Sequence, residues 1–125
     1  MPCDTRYLVT LDGWQEQLRR GGLDLAILLA VAPGRRYGLE IIRYLEDHTD
    51  LIVTEGTIYP ILARLTREGL LAGEWNATES AHPRKYYRLT AAGRRSLDAM
   101  VVHWREFSRK IDRLVATARR DTPER

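Results

Sequence analysis

Apolar residues recur with helical spacing in four segments of the chain, and each of these segments predicts a helix. The first helix spans 14–32 and stops at Pro33-Gly34, and the second spans 37–48. The third follows Thr54 as its expected N-cap and ends before Gly69, a residue type that suits the left-handed backbone at a helix C-terminus. Residues before the first helix show no clear period.

The start of the third helix contains two residue types that weaken a helix interior, Gly56 and Pro60. If the helix begins nearer Thr57 than Thr54, Pro60 lies in its first turn, where little is lost by a missing N–H. Gly56 would then belong to the preceding turn, with a backbone conformation that other residues avoid. Under this interpretation the N-terminal end of the helix is a small, rigid tip that can approach a partner closely.

After Gly69 the hydrophobic period changes from 3.6 to 2, which predicts strands. One strand is expected near 70–75 and a second at 85–89, which is rich in aromatic strand formers. The polar segment NATESAHPR separates them. The predicted fold class is therefore mainly α with a small two-stranded antiparallel hairpin.

A last helix, capped by Thr90, is predicted to run to about Arg119. Its apolar residues repeat by sevens over three heptads, the pattern of a coiled-coil seam. A helix of this length cannot lay its whole length on so small a domain, so we expect a second copy of the chain to cover the seam. The predicted dimerisation residues are Leu97, Met100, Val101, Trp104, Phe107, Ile111 and Leu114.

Composition and length favour one soluble globular domain. The chain has 125 residues, 44% of them hydrophobic and 30% charged, and a net charge of +3. The single cysteine, Cys3, allows no internal disulfide, and the apolar run at 23–32 is too short to cross a membrane. We expect a cytoplasmic protein with an N-terminal arm at 1–13, a binding domain at 14–90 and a dimerisation helix at 91–125.

Three helices followed by a hairpin is the order of a winged helix-turn-helix, in which the third helix enters the major groove of DNA. The polar face of the third helix offers Thr54, Thr57, Tyr59, Arg64 and Arg67. Five basic residues and no acid lie between 84 and 95, where the wing would be. Taken alone, such charges are usually solvated surface, but their position on this element order favours phosphate and base contacts. Glu55 is the exception, since it would repel phosphate unless it caps the helix or accepts from a cytosine amino group.

The segments YGLEIIRYLE, TEGTIYPILARLTREGLLAGEW and PRKYYRLTAAGRRSL resemble the signature of PadR-type transcriptional regulators, over about Leu23 to Leu97. This resemblance implies a dimeric winged-helix repressor of an inverted-repeat operator, dimerised by its C-terminal helix, often together with the partner's N-terminal helix. The single C-terminal helix is similar to the smaller size class of the family. By resemblance, the start of the recognition helix carries Thr57, Tyr59 and Pro60, and the wing carries Arg84, Lys85 and Tyr86.

Aromatic residues near the predicted seam have two interpretations. Trp104 and Phe107 are most simply packed in the dimer interface. Some small PadR-like regulators hold flat aromatic effectors between the subunits by stacking, and Trp14, Trp104 and Phe107, with Tyr7 as a further candidate, are positioned for that role in the sequence.

Other functions find less support in the sequence. The histidines at 48, 82 and 103 are scattered, and Cys3 has no activating base, so neither an enzyme site nor a metal site is expected, and no cofactor. The serious alternative is a winged-helix module that binds protein. Such a module should show an apolar outer face on its third helix, where this chain has hydroxyls and arginines.

Overall fold

Helices dominate the computed structural model, which describes residues 5–76 and 82–121, with side chains from residue 11 onward. Cys3, the side chain of Tyr7 and most of the segment between the hairpin strands lie outside the described residues. The elements are α1 (Thr5–Val31), β1 (Arg36–Tyr37), α2 (Gly38–Thr49), α3 (Glu55–Arg67), β2 (Leu71–Asn76), β3 (Arg84–Leu89) and α4 (Ala91–Asp121). Within the described ranges, no helix is long and apolar enough to cross a membrane.

The first helix begins at Thr5, so the predicted start at Trp14 is wrong by about two and a half turns. The described residues from 11 to 21 are all exposed, so this part of the helix does not contribute to the core of the domain. Their large apolar members, Leu11, Trp14 and Leu18, stand at i, i+3 and i+7, the spacing of one helix face, which indicates a helix that begins before Trp14. The helix also continues through Gly21-Gly22 without interruption.

The core lies where α1, α2 and α3 meet the sheet. Ile27, Ile41 and Ile58 are fully buried, one from each helix, and Leu71 adds the first strand of the hairpin. Each such side chain stabilises the fold by roughly 1.5–3 kcal/mol relative to exposure. This core fixes the position of α3 and leaves the opposite face of the helix available to bind a partner.

The third helix begins at Glu55, so the alternative start near Thr57 is wrong. Thr54 is the N-cap of this helix, as predicted. Its backbone is extended, and its carbonyl accepts hydrogen bonds from the N–H groups of Thr57 and Ile58. Gly56 therefore lies inside the first turn with ordinary helical backbone, and Pro60 lies in the second turn. Because Pro60 has no N–H, the carbonyl of Gly56 lacks the usual donor one turn later.

The end of α3 agrees with the prediction. Gly69 has a φ of +81°, and its N–H donates to the carbonyl of Thr66. The N–H of Leu70 donates to the carbonyl of Leu65 at 3.0 Å. These two bonds form a Schellman motif, which ends the helix and directs the chain into the wing.

The sheet has three antiparallel strands in the order β1-β3-β2, where two were predicted. The hairpin of β2 and β3 is confirmed, with Trp75 opposite Lys85. The missed strand, β1, has only two residues, Arg36 and Tyr37, which pair with Tyr87 and Tyr86. Two residues carry no period, and their partners lie about fifty positions away, so no local pattern could identify this strand.

The last helix begins as predicted, at a cap formed by Thr90. The Thr90 hydroxyl accepts from the Gly93 N–H at 2.9 Å and donates to the Gly69 carbonyl at 2.6 Å. Leu97 is buried in the core of the domain, and Met100 and Val101 pack against that core. From Trp104 onward the apolar side chains of α4 are exposed. The whole is a winged helix-turn-helix with a long C-terminal helix.

Candidate nucleic-acid interface

The N-terminal tip of α3 is an exposed polar surface. Thr54, Thr57, Tyr59 and Pro60 are all exposed, while Ile58 between them is fully buried. The Thr54 hydroxyl donates to the Thr57 hydroxyl at 3.2 Å, in place of capping the backbone. The tip therefore combines two hydroxyls, a phenol and a rigid proline at the exposed start of a firmly packed helix.

Tyr59 is held by the start of α2. Its ring lies so close to Gly38 that a Cβ on Gly38 would come within 2.6 Å of the ring and of the hydroxyl oxygen. Burial first, and the nearby Glu55 carboxylate second, raise the pKa of Tyr59 above its ordinary value. The phenol thus remains protonated at neutral pH and can donate a hydrogen bond to an anion.

The wing carries a chain of aromatic and cationic groups on one face. The Arg84 guanidinium lies 4.6 Å from the ring centre of Tyr37, and Tyr37 meets Tyr86 edge to face at 5.4 Å. Arg35 lies 4.7 Å from the Tyr86 ring and pairs with Glu74 at 3.7 Å. Tyr86 is half-buried in this stack; its ring contacts Arg35 directly and supports Tyr37, the ring over which Arg84 lies.

Lys85 lies on the other face of the wing. Its amine is 5.7 Å from the Tyr87 ring and 6.0 Å from the Trp75 ring. Its stem crosses Gly73, where an added Cβ would come within 2.5 Å of the Lys85 Cε. The missing side chain at Gly73 therefore makes room for the lysine, whose stem runs from its position opposite Trp75 over Gly73, so that the amine lies between the Tyr87 and Trp75 rings.

A groove joins the tip of α3 to the wing. It has a volume of about 390 Å³ and is lined by Tyr37, Gly38, Leu39, Tyr59, Trp75, Pro83, Arg84, Lys85 and Tyr87. Tyr59, Arg84 and Lys85, predicted from sequence as separate contacts, thus share one concave surface. Gly38, Gly73 and Trp75 were not predicted from sequence, because their roles depend on contacts with Tyr59 and Lys85, which lie at least ten positions away.

Arg64 does not belong to this surface. Its guanidinium donates to the Asp24 carboxylate at 2.7 Å and to Glu68 at 3.4 Å. The hydrogen bond to Asp24 is the main cause of its raised pKa. With two carboxylates around it, Arg64 ties α3 to α1. Arg67 is exposed at the C-terminal end of α3, about 15 Å along the helix from Thr57.

A second exposed surface is apolar. Along α4 it comprises Trp104, Phe107, Ile111 and Leu114, and along α1 it comprises Leu11, Trp14 and Leu18. A cavity of about 470 Å³ lies where the two helices approach, lined mainly by Leu25, Ala26, Leu29, Leu51 and Trp104. Trp14 and Phe107, the other aromatic residues predicted to bind an effector, lie elsewhere on the exposed faces.

Among the described residues, no three histidine, cysteine, aspartate or glutamate side chains lie close enough together to hold a metal ion. His48 stacks on Tyr44 at 4.0 Å, and its Nδ1 lies 2.9 Å from the Tyr44 carbonyl. This histidine therefore packs on the preceding turn of α2, close to the C-terminal end of the helix.

The chain is similar in sequence and fold to known transcriptional regulators. The transcriptional regulator PadR-like family matches residues 27–99. The structure of a PadR family transcriptional regulator from Eggerthella lenta superposes with a TM-score of 0.78 and 31% identity, covering 90% of this chain and 97% of that one. A PadR-like transcription factor from Bacteroides fragilis gives a TM-score of 0.71 and 35% identity over 82% of this chain and 98% of that one.

A transcriptional regulator of Mycobacterium tuberculosis is 35% identical over 81 residues, which cover 65% of this chain and 74% of that protein. The matched family region, residues 27–99, includes the tip of α3, the groove and the wing. The chain therefore belongs to the PadR-like family of transcriptional regulators, which are DNA-binding proteins and not enzymes.

Proposed function

We propose that this chain is a homodimeric, sequence-specific repressor that binds an inverted-repeat operator in the cytoplasm. The observation that carries the DNA-binding mode is the groove in which Tyr59 of α3 meets Arg84 and Lys85 of the wing. The observation that supports a dimer is the exposed apolar stripe of α4 from Trp104 to Leu114. A stripe of this kind is costly in water and is typical of a helix that pairs with another.

In this proposal α3 enters the major groove with its N-terminal tip first. Thr54, Thr57 and Pro60 face base edges, while the Tyr59 phenol donates to a phosphate. Arg84 and Lys85 bind the neighbouring backbone, with Tyr86 holding Arg84 through the aromatic stack. Arg67 contributes positive charge from the far end of α3, and Arg64 positions the helix without touching DNA.

The proposed dimer places two recognition helices about a two-fold axis, roughly 34 Å apart, so that they enter successive major grooves. Ile111→Asp puts a charge in the middle of the stripe, and we expect monomers in sedimentation velocity and much weaker operator binding. Val102→Asp is the matched control, since Val102 is also exposed on α4 but lies outside the heptad positions. A dimeric Ile111→Asp protein would contradict the assignment of the seam, and so would a monomeric Val102→Asp protein.

The wing cations are expected to bind phosphate rather than bases. Arg84→Ala should weaken binding to operator and to unrelated duplexes by a similar factor and reduce the salt dependence, by about 0.9 in the logarithmic slope for each phosphate that is no longer neutralised. The measurement is the dissociation constant of both duplexes over a series of salt concentrations. Loss of operator affinity alone, with an unchanged slope, would contradict this role.

The cavity beside Trp104 is the proposed effector site. Its lining is apolar, and the Trp104 ring offers a stacking surface for a flat aromatic compound. Binding would release DNA if the occupied cavity favours a spacing of the subunits that no longer fits the half-sites, which requires different affinities for the two states. The site is tested by titrating such a compound and following tryptophan fluorescence. The compound should quench the emission of wild type, and this quenching should be lost in Trp104→Phe.

One experiment tests the function as a whole. Selection of bound fragments from random DNA with the purified protein should enrich a two-fold symmetric motif. A motif without symmetry would contradict the proposed dimer on an inverted repeat. No enrichment at all would favour the alternative, a winged-helix module that binds protein.

A further inference from the structure

Trp75 is the most exposed of the large apolar side chains that the structure describes, with 68% of its surface accessible. It lies near the outer end of β2, on the same face of the hairpin as Lys85 and Tyr87. That face covers the core closer to the helices, through Leu71 and Tyr87, and continues past the core at Trp75. The indole therefore adds little to the packing of the domain.

The neighbours of Trp75 indicate what could cover it. The indole lines the groove that also contains the Tyr59 ring, Arg84 and Lys85. Within the described part of the chain, the ion pairs of the wing involve Glu74 and Arg35, and neither Arg84 nor Lys85 has a carboxylate partner. The groove thus presents an apolar ring directly beside two cations that an anion can reach.

An occupant of this groove must carry negative charge and an apolar face close together. The sugar-phosphate backbone of DNA has both, since each deoxyribose presents C–H groups next to a phosphate. The bases of a duplex are stacked, so a side chain on a wing that follows the backbone meets sugars first. Tryptophan suits such a contact because its ring is apolar and its N–H can donate to a phosphate oxygen.

We infer that Trp75 is a DNA-contacting residue, which packs its indole on a deoxyribose next to the phosphate that Lys85 binds. This inference rests on the proposed binding mode of the wing and adds an apolar contact to its ionic ones. Lys85 lies opposite Trp75 in the hairpin, and its amine is 6.0 Å from the centre of a Trp75 ring, which sets the distance between the two contacts. The contact is to backbone, so it acts on every DNA sequence.

The first test compares Trp75→Ala, Trp75→Phe and Lys85→Gln by titration of a mixed-sequence duplex of about three helical turns at several salt concentrations. Trp75→Ala should weaken binding about tenfold with the salt slope of wild type, because every ionic contact remains in place. Trp75→Phe should recover most of that affinity. Lys85→Gln should weaken binding and lower the slope.

The salt slope separates a direct role in binding from a role in the fold. If Trp75 only supported the fold of the wing, its removal would displace Lys85 and Arg84 as well, and the slope would fall as in Lys85→Gln. That outcome would overturn the inference, and so would wild-type affinity in Trp75→Ala. Melting temperatures of the three variants identify any that do not fold, and for such a variant the second test decides.

The second test uses the unsubstituted chain, with 5-fluorotryptophan at positions 14, 75 and 104. The resonance missing in Trp75→Phe identifies Trp75, and its shift between H₂O and D₂O reports exposure to solvent. Addition of the duplex should move this resonance and reduce its solvent shift. If the protein binds the duplex and the solvent shift of Trp75 stays unchanged, the inference fails while the proposed function stands. If wild type binds no duplex, both fail.

Discussion

Gly38→Ala is expected to separate the stability of this protein from its binding to DNA. The added Cβ would lie 2.6 Å from the Cε1 and Oη atoms of Tyr59 and 2.7 Å from its Cζ atom. These atoms are the far end of a side chain that is 41% exposed, so the ring can rotate away from α2 at modest cost. The backbone of α2 then needs no adjustment, because alanine suits the first position of a helix at least as well as glycine.

The magnitude follows from the interactions that the displaced ring no longer makes. Stability should change by no more than about 1 kcal/mol, because alanine lowers the entropy of the unfolded chain while the ring moves off Gly38. A hydrogen bond from a phenol to a phosphate contributes about 1.5 kcal/mol or more, and a dimer would lose two. Operator affinity should therefore fall on the order of 100-fold.

The assay pairs thermal melting with fluorescence anisotropy of a labelled operator. Tyr59→Phe removes the hydroxyl in place and should give a similar loss of affinity. The double variant Gly38→Ala/Tyr59→Phe decides the matter, because a hydroxyl that is already absent cannot be displaced. Wild-type affinity in Gly38→Ala would refute the reasoning, and so would a double variant whose loss equals the sum of the two single losses.

Two further predictions concern the supports of the interface. Gly93→Ala should destabilise the fold by about 1–3 kcal/mol, because its Cβ would lie 2.0 Å from the backbone carbonyl oxygen of Leu70, which cannot rotate away. Gly13→Ala is the control: nothing lies within 4 Å of its Cβ, so this variant should melt no lower than wild type. Equal melting temperatures for the two variants would contradict the close packing of α4. Arg64→Gln should leave the salt slope of DNA binding unchanged, because its charge is matched by Asp24 and Glu68, whereas a slope lower by about one per subunit would show that it binds phosphate.

Local signals in the sequence were sufficient for most of the elements. Thr54, Gly69 and Thr90 mark helix ends through the chemistry of their own side chains or backbone, and the structure confirms all three as caps or ends. The change of period after Gly69 identified the hairpin in the same way. Each of these features depends on residues within one or two turns of each other.

Contacts between distant residues, in contrast, left no signal in the local pattern. Arg64 looked like a free cation because Asp24, its partner, lies 40 positions away. Leu97 fits the heptad pattern but is buried in the domain core, since the first turns of α4 pack on α1 before the helix leaves the domain. A periodic pattern shows which side of a helix is apolar and leaves open which surface covers it.

In the proposed mechanism, α1 is the element that connects the two surfaces of the molecule. The Arg19 guanidinium donates to the carbonyl of Ile52 at 2.7 Å, two residues before Thr54, and Asp24 holds Arg64 of α3 at 2.7 Å. Arg19 also lines the apolar cavity beside Trp104. A shift of α1 caused by an effector or by the partner subunit would therefore act on both ends of α3 through short, charge-assisted bonds.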